Sequence, residues 1–185
     1  MGDHVAVPWK NGGGVTTEVA AFPPGASFDN FGWRVSIAQI NSGGPFSLFP
    51  GIDRELGMLE GRVLLTISER PALDLSFGAE PVRFPGDVPA IAELIGDRAT
   101  DLNVMTRRGM FRSRMTRGAN AAITPDVVAV FAFPLETITL HHDGTDIPLS
   151  RGDAVFFDAG EPPVLPKADF YLVAIFRAEN RANGH

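Results

Sequence analysis

The chain has 185 residues, of which 44% are hydrophobic and 21% are charged, and this composition is typical of a soluble globular protein with one large or two small fused domains. Its formal net charge of −6 disfavours nucleic acid as a partner, and the absence of cysteine excludes disulfides, thiolate nucleophiles and cysteine-based metal sites. No apolar run approaches the ~20 residues that span a bilayer, so we expect no membrane association and a cytoplasmic location.

Short apolar runs separated by glycine and proline predict a mainly β protein. The chain contains twenty glycines and fifteen prolines, and few segments keep a helical period for three turns. Ala90–Ile95 is an exception, and we expect one or two short helical turns there, ending at Gly96. The strands predicted in chain order are Val15–Phe22, Trp33–Ile40, Arg62–Ile67, Leu73–Phe77, Asp101–Arg108, Val127–Phe133 and Phe170–Phe176.

The loop Pro8–Gly14 contains Trp9, Lys10, Asn11 and three consecutive glycines. It does not match a phosphate-binding loop, because the lysine precedes the glycines and a strand-like run follows them instead of a helix. Two interpretations remain open, a turn leading into a strand and a loop that forms the wall of a pocket.

Trp33–Ile40 alternates between apolar and smaller or polar side chains. Arg34, Ser36 and Ala38 share the second face of this strand. We expect that face to meet solvent, as in a sandwich, although in a small barrel it would line a polar lumen.

The stretch Gly43–Gly61 has the glycine and proline spacing of the metal-binding hairpin of a cupin. Phe49 and Gly51 occupy the places of the two histidines, so the metal ligands are missing. The spacing predicts that Gly61 closes the hairpin before the next strand. An aromatic wall at Phe49 and a fixed positive charge at Arg54 could replace the metal in such a site.

A faint internal duplication predicts two cupin units in one compact bicupin. Leu75 and Leu140 are 65 positions apart, and Gly86 and Gly152, each followed by aspartate, are 66 positions apart. We place the first unit, with the strands between the units and a ligand pocket, at residues 1–118, and a structural second unit at residues 119–185.

Asp101–Arg108 alternates as well, with Asp101, Asn103, Met105 and Arg107 on one face. Five arginines lie between Arg107 and Arg117. They indicate either a solvated strand face with acidic neighbours or an anion-binding site, since guanidinium groups hold carboxylates bidentately.

Several uncommon strings occur together over the first two thirds of the chain. They are Pro8–Gly14 with Thr17 and Glu18, Trp33–Arg34 with Ser36 and Ala38, Gly44–Ser47, Phe49–Gly51, Asp53–Arg54, Gly61, Phe84, Gly86–Asp87, and Asp101 with Asn103–Met105 and Arg107–Arg108. On these residues the chain resembles the HutD/Ves family of bicupin-like proteins, which is linked to bacterial histidine utilisation. The resemblance implies an RmlC-like jelly roll and a role in limiting or tuning flux through histidine degradation, without an established reaction.

Three classes of function remain: a metal-independent enzyme, a protein-interaction partner and a small-ligand-binding protein. None of them requires a cofactor. A metal-dependent cupin enzyme is disfavoured, because the first unit has no histidine after His4, near the start of the chain, and the adjacent His141 and His142 point to opposite faces of a strand. A metal-independent isomerase or epimerase would need an acid or base, for which the chain offers Asp53, Glu55, Asp101, Lys10 and Glu18. A protein-interaction partner would have a barrel filled by side chains, and an apolar edge strand at Val127–Phe133 would support a homodimer.

We favour a small-ligand-binding protein that takes a small carboxylate of histidine degradation, either urocanate-like or formylated glutamate-like. Arginine would hold the carboxylate, and aromatic or methionine side chains would contact the rest of the ligand. The predicted ligand-binding residues are Trp9, Lys10, Asn11, Arg34, Ser36, Phe49, Arg54, Asp101, Asn103, Met105 and Arg107.

Overall fold

A computed structural model describes residues 6–9, 12–118, 126–142, 144–158 and 166–178, without the side chains of His142 and Asp158. All regular elements in these ranges are strands, which confirms the prediction of a mainly β protein. In particular, they include no helix long and apolar enough to cross a membrane. The strands are β1 Ala6–Pro8, β2 Gly14–Phe22, β3 Trp33–Ile40, β4 Gly44–Pro45, β5 Ile52–Ile67, β6 Leu73–Ser76, β7 Val82–Pro85, β8 Ala90–Arg107, β9 Phe111–Arg117, β10 Val127–Pro134, β11 Ile138–His142, β12 Thr145–Leu149, β13 Val155–Asp158 and β14 Phe170–Arg177.

The strands form two antiparallel sheets and a separate ribbon. The larger sheet has the order β1-β2-β3-β8-β5-β6, with β4 paired to β8 and β7 paired to β5. The smaller sheet has the order β13-β10-β14-β9, and β11 pairs with β12. Strands β3, β8 and β5 are therefore the central neighbours that carry the long polar and apolar faces of the larger sheet.

The predicted hairpin ending at Gly61 is wrong, because Gly61 lies inside the 16-residue strand β5. The pairing of β5 with β8 shifts register on both sides of Glu60, and Gly61 has a φ of +73°. A Cβ atom at Gly61 would lie 2.4 Å from the carbonyl oxygen of Arg98. Glycine is thus required here both by the backbone conformation and by the close approach of β8.

The predicted helical turns at Ala90–Ile95 are also wrong, because these residues form the first part of β8. They pair with β5 from Arg62 to Ile67, and Ala90 and Ala92 are buried in the core while their neighbours are more exposed. Pairing with β5 and β4 therefore overrides the helix propensity of alanine, leucine and glutamate.

The two faces of the larger sheet have different neighbours. Trp33, Val35, Leu102 and Val104 pack with residues of the smaller sheet in one buried cluster. The smaller sheet's share of that cluster consists of Phe111, Met115, Ala129, Phe131, Phe133, Tyr171, Val173 and Ile175. The opposite face of β3 and β8 is consequently turned away from the smaller sheet.

The division at residue 118 stays a prediction, but two of its components can be located. Strand β9, which we assigned to the first unit, pairs with β14 in the smaller sheet. Strand β10 lies between β13 and β14, so Val127–Phe133 does not form the predicted edge strand. The homodimer stays a prediction, but the backbone edge of this strand is not free to form it.

Candidate functional site

A cavity of about 560 Å³ lies on the face of β3, β5 and β8 that is turned away from the smaller sheet. This volume is in the usual range for a small-molecule site. Most of the predicted ligand-binding residues line it: Trp9, Arg34, Ser36, Phe49, Arg54, Asp101, Asn103 and Met105. Lys10 and Asn11 lie outside the described residues.

The strand register arranges these side chains in rows. Met105 is paired with Arg34 on one side and with Arg54 on the other. Two residues along β8, Asn103 is paired with Ser36, and two residues further, Asp101 is paired with Ala38. Because alternate residues share a face, the two arginines stand at the level of Met105, and the Cα atom of Asp101 lies four residues, about 14 Å, further along β8.

The expectation that Arg34, Ser36 and Ala38 face solvent is wrong. Their exposed fractions are 6%, 1% and 5%, and all three line the cavity. The alternation of Trp33–Ile40 was predicted correctly. It does not show that the smaller sheet covers the face of Trp33 and Val35, which leaves the polar face inside a barrel.

Arg34 is held in place by Glu18 and Phe28. Its Nε atom donates to Glu18 Oε2 at 2.7 Å, and its guanidinium carbon lies 4.5 Å from the centre of the Phe28 ring. Glu18 is more exposed than Arg34, since its side chain is 36% exposed against 7%. The pair therefore orients the guanidinium group at the edge of the cavity.

Arg54 lies in an aromatic environment. Its guanidinium carbon is 4.6 Å from the ring centre of Phe46, 5.3 Å from that of Phe84 and 5.9 Å from that of Phe49. Its Nε atom has no hydrogen-bond partner among the described residues. Burial lowers the pKa of Arg54 to about 10, and the negative charge of Asp101 partly opposes this change. Arg54 is still a cation at neutral pH.

Asp101 is fully buried, and neither carboxylate oxygen has a hydrogen-bond partner in the described part of the chain. Burial raises the pKa of Asp101 to about 7, while the positive charge of Arg54 acts in the opposite direction. The Oδ1 atom of Asn103 is likewise buried without a partner. Buried polar atoms are rarely left unpaired, so this wall of the cavity has unused capacity to accept hydrogen bonds.

Arg107 does not line the cavity, contrary to the prediction. Its Nε atom donates to the carbonyl oxygen of Phe31 at 2.9 Å, and its Nη2 atom donates to that of Asp29 at 3.1 Å. The side chain thus fastens the loop before β3, and its cationic group is already used by backbone acceptors.

The other arginines of this region support the interpretation of a solvated face with acidic neighbours. Arg108 pairs with Asp53 and Asp87, and their contacts are 2.6 and 2.7 Å. Arg112 pairs with Asp126, and Arg117 pairs with Asp169. These charges are satisfied at the surface and do not form an anion site with the cavity.

Among the proposed acids and bases that the structure describes, Asp101 lines the cavity and the others have different partners. Asp53 pairs at the surface with Arg83 and Arg108. Glu55 accepts hydrogen bonds from the Ser113 hydroxyl and the Met115 backbone N–H, on the side of the smaller sheet. Glu18 pairs with Arg34, and Lys10 lies outside the described residues.

Phe28 and Phe46 line the cavity and were not predicted. Phe28 lies between β2 and β3, where no hydrophobic period indicates its direction. Phe46 belongs to the Gly44–Ser47 string, so its position beside Phe49 could have suggested a second aromatic wall residue.

Within the described ranges, no three histidine, aspartate or glutamate side chains are grouped so that they could hold a metal ion. His141 is exposed at the end of β11, where its Nδ1 atom contacts Asp146.

Comparison with known sequences connects the chain to the family that the sequence motifs indicated. The HutD family model matches residues 1–172. The Ves protein of Citrobacter koseri is 38% identical over 108 residues, which are 58% of this chain and 56% of that protein. An uncharacterised protein of Pseudomonas putida, described as lying in the hutC 3′ region, is 34% identical over 114 residues, which are 61% of this chain and 59% of that protein. The match therefore spans less than two thirds of these relatives.

Comparison with solved structures confirms the cupin-like fold. HutD from Pseudomonas fluorescens has a TM-score of 0.75 and 26% identity, and the match covers 96% of each chain. Oxalate decarboxylase from Bacillus subtilis, a cupin, has a TM-score of 0.55 at 10% identity, with 95% of this chain and 75% of that chain covered. The second likeness concerns the fold alone.

Proposed function

This chain belongs to the HutD family, and from that membership we propose that it is a small-carboxylate-binding protein that tunes or limits flux through histidine degradation. The observation that carries the proposal is the pair of buried arginines, Arg34 and Arg54, that flank Met105 in one cavity. Two buried guanidinium groups that line one cavity favour a ligand with a carboxylate.

The shape and lining of the cavity favour a small, partly flat ligand. Phe46, Phe49 and Trp9 supply aromatic surface, and Asn103 supplies a neutral polar group opposite Ser36. A urocanate-like molecule combines a carboxylate with a flat ring, and a formylated glutamate-like molecule offers carboxylates on a flexible chain. Both are much smaller than the cavity volume permits.

The link to histidine degradation rests on the family and on the relative described as lying in the hutC 3′ region. The HutD structure from Pseudomonas fluorescens is described as a formate condition, and formate is the smallest carboxylate. A cytoplasmic location belongs to the same proposal, because the intermediates of such a pathway are small cytoplasmic metabolites.

A thermal-shift panel tests this function. The panel contains histidine, urocanate, imidazolone propionate, formiminoglutamate, formylglutamate and formate. A ligand at 100 times its Kd stabilises the folded state by about 2.7 kcal/mol, which for a chain of this length raises the Tm by about 5–10 °C. The absence of any shift at millimolar concentrations would contradict the proposed ligand class.

Arginine variants then locate the site. Arg34→Met and Arg54→Met keep the length of the apolar stem but remove the charge, and each should weaken binding by about 2 kcal/mol or more, which is roughly 30-fold in Kd. Arg98→Met is the matched control, since Arg98 is an exposed arginine of β8 that pairs with Glu60. Equal affinities for all three variants would place the ligand elsewhere.

A metal-independent isomerase or epimerase is the second candidate, and one observation favours it. Asp101 lies in the cavity with a pKa near neutral, which is the range of an effective general base. Incubating the ligand with the protein and monitoring the mass and absorbance of the ligand distinguishes the two functions. Conversion of the ligand indicates an enzyme, and unchanged ligand indicates a binding protein. The third alternative, a protein-interaction partner with a barrel filled by side chains, receives less support, because a cavity of about 560 Å³ lies on β3, β5 and β8.

A further inference from the structure

The Asp101 carboxyl group is a charged feature of the cavity that the arginine pair does not explain. It is fully buried, and both of its oxygens lack a hydrogen-bond partner among the described residues. Arg54 interacts with it through charge, but no hydrogen bond joins the two, and Arg54 Nε is also unpaired. A carboxylate in this position is stabilised by an added hydrogen-bond donor, because the described residues supply none.

The described residues around Asp101 donate no hydrogen bond to its carboxyl oxygens. Its backbone neighbours across the sheet are Ala38 and Met58, whose exposed fractions are 5% and 1%. Among the described residues that line the cavity, Asp101 is the sole acid, and the two cations lie at the level of Met105. Along the backbone of β8, the level of the two arginines and the level of Asp101 are therefore separated by the Ser36–Asn103 level, although the charge of Arg54 still reaches Asp101.

We infer that the ligand of this cavity carries a hydrogen-bond-donating N–H group at the end opposite its carboxylate, and that Asp101 is the specificity-determining residue that receives this group. The ligand class is a small carboxylate with a distal azole or amide N–H. This inference rests on the proposed function, because the arginines fix which end of the ligand carries the anion.

The free energy of binding should favour ligands that carry the N–H donor over ligands that lack it. A ligand that has the same shape but lacks the N–H leaves the buried carboxyl group unpaired after water has been displaced, and sites that hydrogen-bond a ligand group discriminate strongly against analogues without it. Burial already raises the pKa of Asp101 to about 7, and an N–H donor or a protonated ring would favour its ionised form.

Two probes of matched shape test the inference in the unaltered protein. Imidazole-4-acrylate and furan-3-acrylate share the carboxylate, the double bond and a five-membered ring, but the furan has no N–H. By calorimetry at pH 7.5 we expect the imidazole compound to bind at least about tenfold more tightly. For an amide ligand the corresponding pair is N-formylglutamate and N-formyl-N-methylglutamate.

The outcomes separate this inference from the function on which it rests. If both members of a pair bind with the same affinity, carboxylate binding stands and the role of Asp101 is overturned. If no member of either pair binds and no compound of the thermal-shift panel raises the Tm, both the proposed function and this inference are overturned.

An Asp101→Asn variant provides the second arm. It keeps the size of the side chain and removes its charge, so the preference for the N–H ligand should fall to within about threefold, while the Kd of the furan changes little. A purely structural role for Asp101 would weaken both ligands equally. Asp97→Asn, at an exposed position of the same strand, is the matched control, and the comparison in the unaltered protein decides the question if Asp101→Asn does not fold.

Discussion

Arg54 and Asp101 carry opposite charges in one buried cavity without a hydrogen bond between them. Each charge loses hydration on burial, which is why the pKa of the arginine falls and that of the aspartate rises. The aromatic rings around Arg54 replace part of its hydration through cation–π contacts, whereas Asp101 has no comparable substitute. The aspartate is therefore the more destabilising member of the pair.

This imbalance predicts how stability depends on pH. Because the pKa of Asp101 is about 7 in the folded state and 3.8 ordinarily, the folded state binds more protons than the unfolded state between these values. The contribution of Asp101 to the free energy of unfolding thus falls as pH rises from 4 to 7 and is constant above that range. Asp101→Asn should remove this fall, which is on the order of 4 kcal/mol.

Urea denaturation at pH 4.5, 6.0 and 7.5 measures the effect. The difference in unfolding free energy between Asp101→Asn and the unaltered protein should become more favourable to the variant at each step. The exposed Asp97→Asn variant should show no such trend. A difference that stays constant with pH would mean that Asp101 is ionised throughout in the folded state.

At the scale of the strand, β5 connects two environments through consecutive residues. Arg54 faces the cavity, and Glu55 faces the smaller sheet, where it accepts hydrogen bonds from Ser113 and Met115 of β9. Successive side chains of a strand point to opposite faces, so this division follows from the pleat. The buried carboxylate of Glu55 joins the two sheets by a polar contact within an otherwise apolar cluster.

Loss of this contact should be costly. Glu55→Ala leaves the Ser113 hydroxyl and the Met115 N–H unpaired, and we expect the free energy of unfolding to fall by about 2–5 kcal/mol. Glu55→Gln should lose only about 1 kcal/mol, because its carbonyl can accept from Met115 while its amide donates to Ser113. Chemical denaturation measures both variants.

The control for these variants is Glu60→Ala, an exposed position of the same strand, which should change stability by no more than about 0.5 kcal/mol. Equal losses for Glu55→Ala and Glu60→Ala would show that the contact between the sheets contributes nothing. A loss for Glu55→Gln as large as that for alanine would show that the negative charge itself is needed.

The strands illustrate what the sequence could and could not predict. The bounds of Trp33–Ile40 were predicted as the structure has them, because the alternation of that segment is regular and both ends are marked. The environment of its polar face was not predicted correctly, because alternation defines which side chains share a face but not what covers that face. Ala90–Ile95 was misassigned because local propensity does not report pairing with a strand some 25 residues earlier.

At the scale of the whole molecule, the larger sheet and the smaller sheet share one buried cluster. It contains Trp33 and Val104 from the former and Phe131 and Tyr171 from the latter. Strand β9 has its sheet partner in β14, so the end of the first predicted unit depends on the last strand of the second. The two predicted cupin units are expected to be mutually dependent for stability.

We therefore predict a single unfolding transition. Trp9 and Trp33 both belong to the first unit, so tryptophan fluorescence reports that unit, whereas far-UV circular dichroism reports all strands. In urea the two signals should coincide, as for a two-state protein. Separate midpoints would indicate units that fold independently.

Arg34, Arg54 and Asp101 line the cavity and were among the predicted ligand-binding residues, whose role in binding stays a prediction. Each is a charged residue within one of the uncommon strings of the first two thirds of the chain, and such strings are visible in the sequence. Arg107 looked the same, yet the fold gave it backbone carbonyl partners. Only the three-dimensional structure distinguishes a charged side chain that holds a loop in place from one that faces a cavity.

The alternation along β8 has a consequence for how this protein can change over evolution. With Met105 held in register, insertion of one residue between Val104 and Met105 would move Leu102 and Val104 into the cavity and turn the carboxyl group of Asp101 toward the face of Phe131 and Tyr171. Exchange of single side chains on one face leaves the other face intact. New ligand preferences in this fold should therefore arise by replacement in the central strands and by length variation in the loops around them.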